Sequence, residues 1–391
     1  MVCAVLAPLA RSQDHPFHLA VVPNLDSADL SVLDMRAHRE LARVPIGTRP
    51  QLVAMGPDGR YAYVQWGPIG AGVNLSMVDL ATWSVVRTTT LPAGSSISEL
   101  EISPDGGTLA VGGSRRGSLF LLDPLTLHLR RQPLDLCRAC GTTVPVLSGA
   151  TVTFSSDSTY LFAAVPGENA LVTLRLPSGD EVARTPILAP GDSSAFLDIQ
   201  TFPGLPELTF AAKYGVHANL TLWPGHLELD ARASAPMDVL PLRFGGELVL
   251  AYGSINYPYT GANRMRLRHL NSGATLDLPG LPSTRWLRFD PTRFELWGTC
   301  ASFDPVCGTY KIDVFHLLTL QRTTITGLAD VRAGLPAFTA DYRYYYQPIH
   351  SWNVIEVIDA ATKLRHTVIP VGGNPRGVFL QGDARTRHVY T

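Results

Sequence analysis

Two groups of residues in this sequence have types and spacings that could do chemistry. Arg49, Arg285, Arg332 and Arg376 each stand ahead of a short apolar run, at one recurring register. Guanidiniums gathered by such a register would clamp a carboxylate, phosphate or sulfate through paired N–H donors. Each arginine could equally tie down the carbonyls of its own segment. Trp66, Tyr257, Tyr259, Phe303, His350 and Trp352 form the second group and fall in the longest turn-rich segments. Aromatic side chains on loops bring contact area at low entropic cost and often anchor recognition. They can also simply pack one loop onto another.

The cysteines offer a third chemistry. Cys3 lies near the start, and the other four form two local pairs, Cys137/Cys140 and Cys300/Cys307. Close pairs in even number suit disulfides in an oxidising compartment, each stapling one loop. Free thiols and a four-thiolate zinc site are the alternatives. The spacing from Cys300 to Cys307 is wide for a zinc knuckle. Cys137-Arg-Ala-Cys140 is followed by Gly141 rather than His, so it is not a c-type haem attachment site.

Catalytic signatures are not found. There is no P-loop, no dinucleotide fingerprint, no HExxH and no G-x-S-x-G elbow. Among the eleven histidines, His217, His226, His269 and His316 show no ligand spacing. No catalytic residue and no metal set is therefore assigned. A formal net charge of −1 argues against nucleic-acid binding, which needs a large positive excess. No run of eighteen apolar residues exists, so no transmembrane helix is expected. Met1 to Ala10, MVCAVLAPLA, resembles the tail of a secretory signal, although it is short and lacks a basic start. Residues 1–16 are expected to be a leader or partial signal segment, and 17–391 a single domain. The expected location is extracytoplasmic: periplasm, cell surface or medium.

The elements that must position these side chains are strands. Ile46 to Gln65 reads IGTRPQLVAMGPDGRYAYVQ, and Ile97 to Gly113 reads ISELEISPDGGTLAVGG. Each is a short apolar strand, a polar turn and a second apolar strand. In Pro57-Asp58-Gly59 and Pro104-Asp105-Gly106, Pro fixes φ, Asp bonds the local backbone and Gly allows positive φ. A third strand follows, often ending in aspartate, as at Asp34, Asp79, Asp123 and Asp359. Such recurrence suggests a turn role, bonding the following N–H groups. Third-strand landmarks fall near 34, 79, 123, 174, 222, 268, 315 and 359, seven intervals averaging about 46 residues. Four strands per repeat of this length, with no helical stretch, predict an all-β fold, a β-propeller. About eight four-stranded blades are expected, or seven if the degenerate copy over 195–240 is decoration. The chain opens on a second strand, Phe17 to Asn24, and ends on a first strand, Gly377 to Leu380, with His388 to Tyr390 beyond. Pairing of the two termini would close the ring and remove an open edge.

IPVGGNPRGV (Ile369–Val378), VPIGTRP (Val44–Pro50), the PDG turns and strand ends such as Val357-Ile358-Asp359 resemble the YVTN-type β-propeller repeat of bacterial and archaeal surface proteins. The match is clear over 17–65, 97–123 and 354–391, and weak over about 190–335. The resemblance implies the fold strongly and the function poorly. Relatives of the repeat include non-catalytic surface propellers, lactonase-like propellers and the haem d1 propeller of nitrite-reductase systems.

In this topology the turns between first and second strands, and between third and fourth, lie on one face. They are short. The loops between second and third strands, and the links between blades, lie on the other. These hold the long segments: Trp66 to Val73, Tyr252 to Asn263, Thr299 to Thr309, Pro348 to Asn353 and the link Pro133 to Gly149. The long-loop face is the expected working surface. The first expectation is an exported, non-catalytic scaffold that binds a protein or glycan there and carries no cofactor. The alternative is a propeller binding haem d1 or a similar anionic tetrapyrrole, its carboxylates on the arginine arc and His350 the imidazole placed to ligate iron. A lactonase-like hydrolase is the second alternative.

Overall fold

The computed structural model describes the strands and most turns between residues 17 and 383. Outside the described residues lie 1–16, 384–391 and, between strands, chiefly 68–72, 93–96, 114–117, 139–150, 187–195, 231–235, 255–264, 301–310 and 327–332. The strands form eight antiparallel sheets of four. Blade 1 is Leu19–Asn24, Asp29–Asp34 and Arg39–Pro45, with Phe379–Leu380 as its innermost strand. Blades 2 and 3 start at Val53–Met55 and Ile97–Ile102, and blade 4 at Thr151–Phe154. Blades 5 and 6 start at Phe196–Phe202 and Pro236–Phe244, blade 7 at Thr284–Asp290 and blade 8 at Ala337–Phe338. Seven blades use contiguous chain, so the segment over 195–240 is a full blade rather than decoration. Every third-strand landmark falls in its blade's third strand or one residue past it. The link from Pro133 is partly strand, because Leu134–Asp135 is the fourth strand of blade 3.

The turns repeat because the same side chains bond the same backbone groups. Between first and second strands, Gly59 and Gly106 take φ of 71° and 70°. Ser158 and Tyr342 hold that position in blades 4 and 8, at φ of 60° and 56°. Asp105 Oδ1 accepts the Ser103 hydroxyl at 2.5 Å and the Gly107 N–H at 2.9 Å; Asp341 does the same with Thr339 and Arg343. Between third and fourth strands, Asp34 accepts the N–H groups of Arg36 and Ala37. Asp123 accepts those of Leu125 and Thr126, and Asp359 those of Ala361 and Thr362. The Thr362 and Ala361 bonds hold the Asp359 carboxyl below its ordinary pKa.

The core is distributed between blades. One buried cluster runs from Val21 and Val32 of blade 1 through Val53 and Val64 of blade 2 to Leu100 and Val111 of blade 3. Another joins Ala20, Val22 and Leu33 of blade 1 to Tyr346, Ile355 and Val357 of blade 8. Both sheet faces are thus apolar, which is why strands such as Leu19–Asn24 read as continuous apolar runs rather than alternating ones.

Closure rests on a short ladder with heavy reinforcement. Ala20 pairs with Leu380 and Val21 with Phe379. Gln381 extends the joint: its amide accepts the Leu19 N–H at 3.2 Å and donates to the Gly59 carbonyl of blade 2 at 2.7 Å. The Phe17 ring lies over Gly59 and Gly382, where any Cβ would overlap it. On the other face, the Asp26 and Leu25 N–H groups bond the carbonyls of Gly373 and Asn374, and the Arg376 N–H bonds that of Pro23. Gly372 packs so closely that a Cβ there would lie 2.5 Å from Asn24 Nδ2 and Asp29 Oδ1, whereas one on Gly373 would find its nearest neighbour at 3.3 Å. At the outer seam, His38 of blade 1 shares a 2.5 Å hydrogen bond with the Tyr346 hydroxyl of blade 8 and packs on Tyr344 and His366.

Overpacking at a filled site costs about 1–3 kcal/mol. Gly372→Ala is expected to lower unfolding free energy by that amount, and Gly373→Ala by less than about 1 kcal/mol, measured by denaturant titration. The second prediction concerns acid. Burial, then the His366 ring and the Arg343 guanidinium, lower the His38 pKa, while Asp34 and Asp341 oppose them. The unfolded chain then binds the proton at a higher pH than the folded one. Stability is therefore lost as pH falls below about 6.5, the free value, toward the folded value. His38→Asn, which tolerates the left-handed backbone at this site (φ 49°), is expected to flatten the dependence of unfolding free energy on pH between about 7 and 5.

Candidate functional site

The first strands line the central channel, and a cavity of about 570 Å³ runs along it. Its wall begins at Val53 and Leu335 and reaches Pro57, Pro104, Pro291 and Ala340 in the turns between first and second strands. It therefore opens on the short-turn face. The wall is mostly apolar and aromatic, with Phe17, Phe289, Phe338, Tyr342 and Phe379. Among the described residues of the wall, Arg288, 6% exposed, is the one Lys or Arg. The Arg288 Nε donates to the Pro336 carbonyl of blade 8 at 2.8 Å, and Nη1 to the Leu287 carbonyl at 2.6 Å.

The long-loop face is tied together around Gly334, in the link into blade 8. The Gly334 carbonyl accepts a bond from Gln347 Nε2 at 2.7 Å. A Cβ on Gly334 would overlap the Arg376 carbonyl and lie 3.0 Å from His350 Nε2. His350, on a 3-10 turn over His350–Trp352, and Arg376, in the link into blade 1, thus meet at one glycine. The contact is made by the His350 ring and by the Arg376 main chain; His350 Nε2 and Arg376 Nε are both buried. The residues the sequence singled out separate on this face. Arg49 is exposed at φ 58°, in the link into blade 2. Arg285 lies within the first strand of blade 7, at a bulge between Thr284 and Trp286, and not in a link. Arg332 lies outside the described residues, as do Tyr257, Tyr259, Phe303, Cys140 and Cys307. Cys300 ends a strand, and its side chain is also outside them. Cys137 is buried and disulfide-bonded.

Trp66 proves to be a packing residue. Its indole N–H donates to Ser76 Oγ at 2.8 Å, and its ring covers Gly47, where a Cβ would overlap it. Trp352 is 51% exposed and presents its ring to solvent. The loop expected from Pro348 contracts to the 3-10 turn, because Pro348 pairs with Ile355 inside a strand. His269 and His316 stand where other blades have the turn aspartate: the Nδ1 atoms accept the N–H groups of Ser272 and Thr319. Among the described residues, no group of three or more His, Cys, Asp or Glu is arranged to hold a metal, and no helix is long and apolar enough to cross a membrane. Sequence reasoning missed Arg288. The signal was available: two residues before each turn stand Ala54, Glu101, Thr153 and Ala337, and only blade 7 of these five places a cation there.

The architecture defines a β-propeller. Solved structures of the same shape agree. The dihydro-heme d1 dehydrogenase NirN in complex with DHE matches with a TM-score of 0.77 and 20% identity, over 98% of this chain and 79% of that one. Apo AztD from Citrobacter koseri matches at 0.60 and 13%, over 92% and 96% of the two chains. A functionally unknown protein from Desulfotomaculum acetoxidans DSM 771 matches at 0.56 and 10%, over 93% and 98%. At these identities the likeness establishes the fold alone. No protein family and no curated protein sequence matches the chain.

The two tryptophans should part company on substitution. Trp66→Ala is expected to cost about 3 kcal/mol of stability, whereas Trp352→Ala should stay within about 0.5 kcal/mol of the parent, both read from urea unfolding.

Proposed function

We propose that this chain is an exported propeller that holds an anionic tetrapyrrole of the haem d1 class on its long-loop face, by the ring carboxylates. The carrying observation is the meeting of His350 and Arg376 at Gly334. Likeness over 98% of the chain to a dihydro-heme d1 dehydrogenase supports the reading. The donor set fits carboxylates better than iron. Arg49 and Arg376 stand in adjacent inter-blade links and would supply bidentate donors. His350 Nε2 is buried, so its ring would serve as wall of the site. Bound there, the group would supply redox chemistry at its iron. The chain's own part is to orient it and screen one ring face from water. The disulfide at Cys137 supports an extracytoplasmic location. Pairing with Cys140, a second pairing of Cys300 with Cys307, and descent from the YVTN-type repeat belong to the same proposal.

A second reading, a protein or glycan partner on this face, is favoured by the exposed Trp352 ring. Titration of the purified chain with haemin, and with its dimethyl ester, separates the two. Tetrapyrrole binding predicts a saturable visible-band shift with haemin. It predicts at least tenfold weaker binding of the ester, and of haemin by the Arg49→Ala/Arg376→Ala double variant. No saturable shift, or equal binding of acid and ester, overturns it. In that event, glycan or protein binding lost in Trp352→Ala would carry the second reading.

A further inference from the structure

The seam where blade 8 meets blade 1 holds a pair of imidazoles that the function proposed above does not use. We propose that His38 and His366 together bind one divalent transition-metal ion, of the copper and zinc class, across this seam.

Three observations carry this. The first is spacing. The His38 and His366 ring centroids lie 4.8 Å apart, with the ring planes at 65°, so the rings do not stack face to face. An imidazole nitrogen binds such a metal at about 2.0–2.1 Å, which sets each ring centroid about 3.2 Å from the ion. Two neighbouring ligands at about 90–110° then have their centroids about 4.5–5.2 Å apart. The second observation is the tautomer. The Tyr346 hydroxyl has one hydrogen and donates it to the Met35 carbonyl at 3.0 Å. In its 2.5 Å bond with His38 it therefore accepts, and the His38 Nδ1–H donates. Nε2 of the neutral ring is left with the lone pair that a metal needs. An imidazole held through its other nitrogen in this way is the usual arrangement of a metal-binding histidine. The third observation is access. His366 is exposed and His38 half-buried, and among the described residues the His366 ring nitrogens have no hydrogen-bond partner.

The surroundings favour coordination over simple charge attraction. The Asp34 and Asp341 carboxylates act on His38 with the opposite sign to the Arg343 guanidinium. Arg343 lies over the Tyr344 ring, 5.2 Å from its centroid. Tyr344 packs on both imidazoles, at 4.5 Å from His38 and 4.9 Å from His366, and closes one side of the pair. With two protein ligands, the remaining positions on the ion fall to water. His38 stands in the turn between Asp29–Asp34 and Arg39–Pro45 of blade 1, and His366 in Arg365–Pro370, the outer strand of blade 8. The ion would therefore brace the ring closure from outside, and binding to the folded chain alone would stabilise it.

The experiment is titration of the full chain with Cu²⁺, which imidazole binds more tightly than Zn²⁺, in a non-coordinating buffer at about pH 8. Calorimetry reads the affinity and electron paramagnetic resonance reads the ligands. One saturable site is expected, with two imidazole nitrogens on the copper. His366→Asn, at an exposed position, should lose at least tenfold in affinity while keeping the parental urea midpoint without metal. His38→Asn, which tolerates the left-handed backbone there, should lose as much. His366→Asn keeps the test open if His38→Asn fails to fold. Copper should raise the urea midpoint of the parent and leave that of His366→Asn unchanged. The Arg49→Ala/Arg376→Ala variant should bind copper as the parent does, which separates this site from the long-loop face. Absence of saturable binding, parental affinity in His366→Asn, or fewer than two imidazoles on the copper overturns the proposal.

Discussion

The joint between the two ends of the described chain is the constraint on which the rest depends. Seven blades are built from contiguous sequence and could form in isolation only as exposed four-stranded sheets. The eighth borrows its innermost strand from the far end of the chain, and until it does, the ring has two unpaired edges. The ladder itself is only two residue pairs long. Its hold comes from what surrounds it: Gln381 reaching to blade 2, Phe17 lying over two glycines, and Gly372 seated among Asn24, Ser27 and Asp29. These contacts form only when all intervening blades are in place, so closure couples local sheet stability to global order. Loop closure over so long a chain is costly, which explains why a two-pair ladder needs so much side-chain support.

Propeller repeats also separate two demands that most folds mix. Turn geometry is fixed by a few side chains bonding backbone N–H groups, and packing is fixed by apolar residues on both sheet faces. The turn rule is chemical rather than residue-specific. An imidazole Nδ1 at His316 accepts the N–H one residue short of the left-handed position much as a carboxylate oxygen does at Asp123. Positive φ is met by glycine at 59 and 106 but by Ser158 and Tyr342 elsewhere. A motif search for one letter fails at such sites, whereas a search for a short acceptor after an apolar strand succeeds.

That difference explains what could be read in advance. Third-strand ends were legible even at 222 and 268, where the PDG and aspartate signals are gone, because strand spacing survives loss of turn identity. Ring closure was legible because the sequence starts on one strand type and ends on another. The site was much less so. Arg49 and Arg376 share a register, yet one is exposed at a left-handed backbone position while the other sets its carbonyl against Gly334 and buries its Nε. Register fixes where a Cα stands; the direction of the side chain depends on local φ and on what the neighbouring blade leaves open. Arg285 shows the same limit, since a bulge, invisible in sequence, moves it from link to strand. Trp66 looked like a presented aromatic because it ends a strand before a long segment. Its partner is Gly47, in a link nineteen residues earlier, and nothing in the spacing of the two announces that contact.

The two faces of this molecule follow from one property of a closed sheet ring. First strands run in one direction around the channel, so every turn between first and second strands converges on the same rim. Those turns must stay short, because they crowd near the axis: the Phe17 ring packs on glycines of two blades at once, and Pro57 packs on Gly106 of the next. Short turns cannot carry a site made of loops. They can, however, leave the channel open beneath them, walled by rigid strands whose side chains are fixed on both sides by neighbouring blades. A cation in such a wall, as at Arg288, is held in place by backbone carbonyls of its own and the next blade. Evolution of the long-loop face can proceed by insertion, while the channel can change only by substitution at positions that pack. A charged residue at one of these packed positions therefore has to be matched by fixed polar partners, as Arg288 is by two backbone carbonyls, whereas one in a long loop can be matched by water.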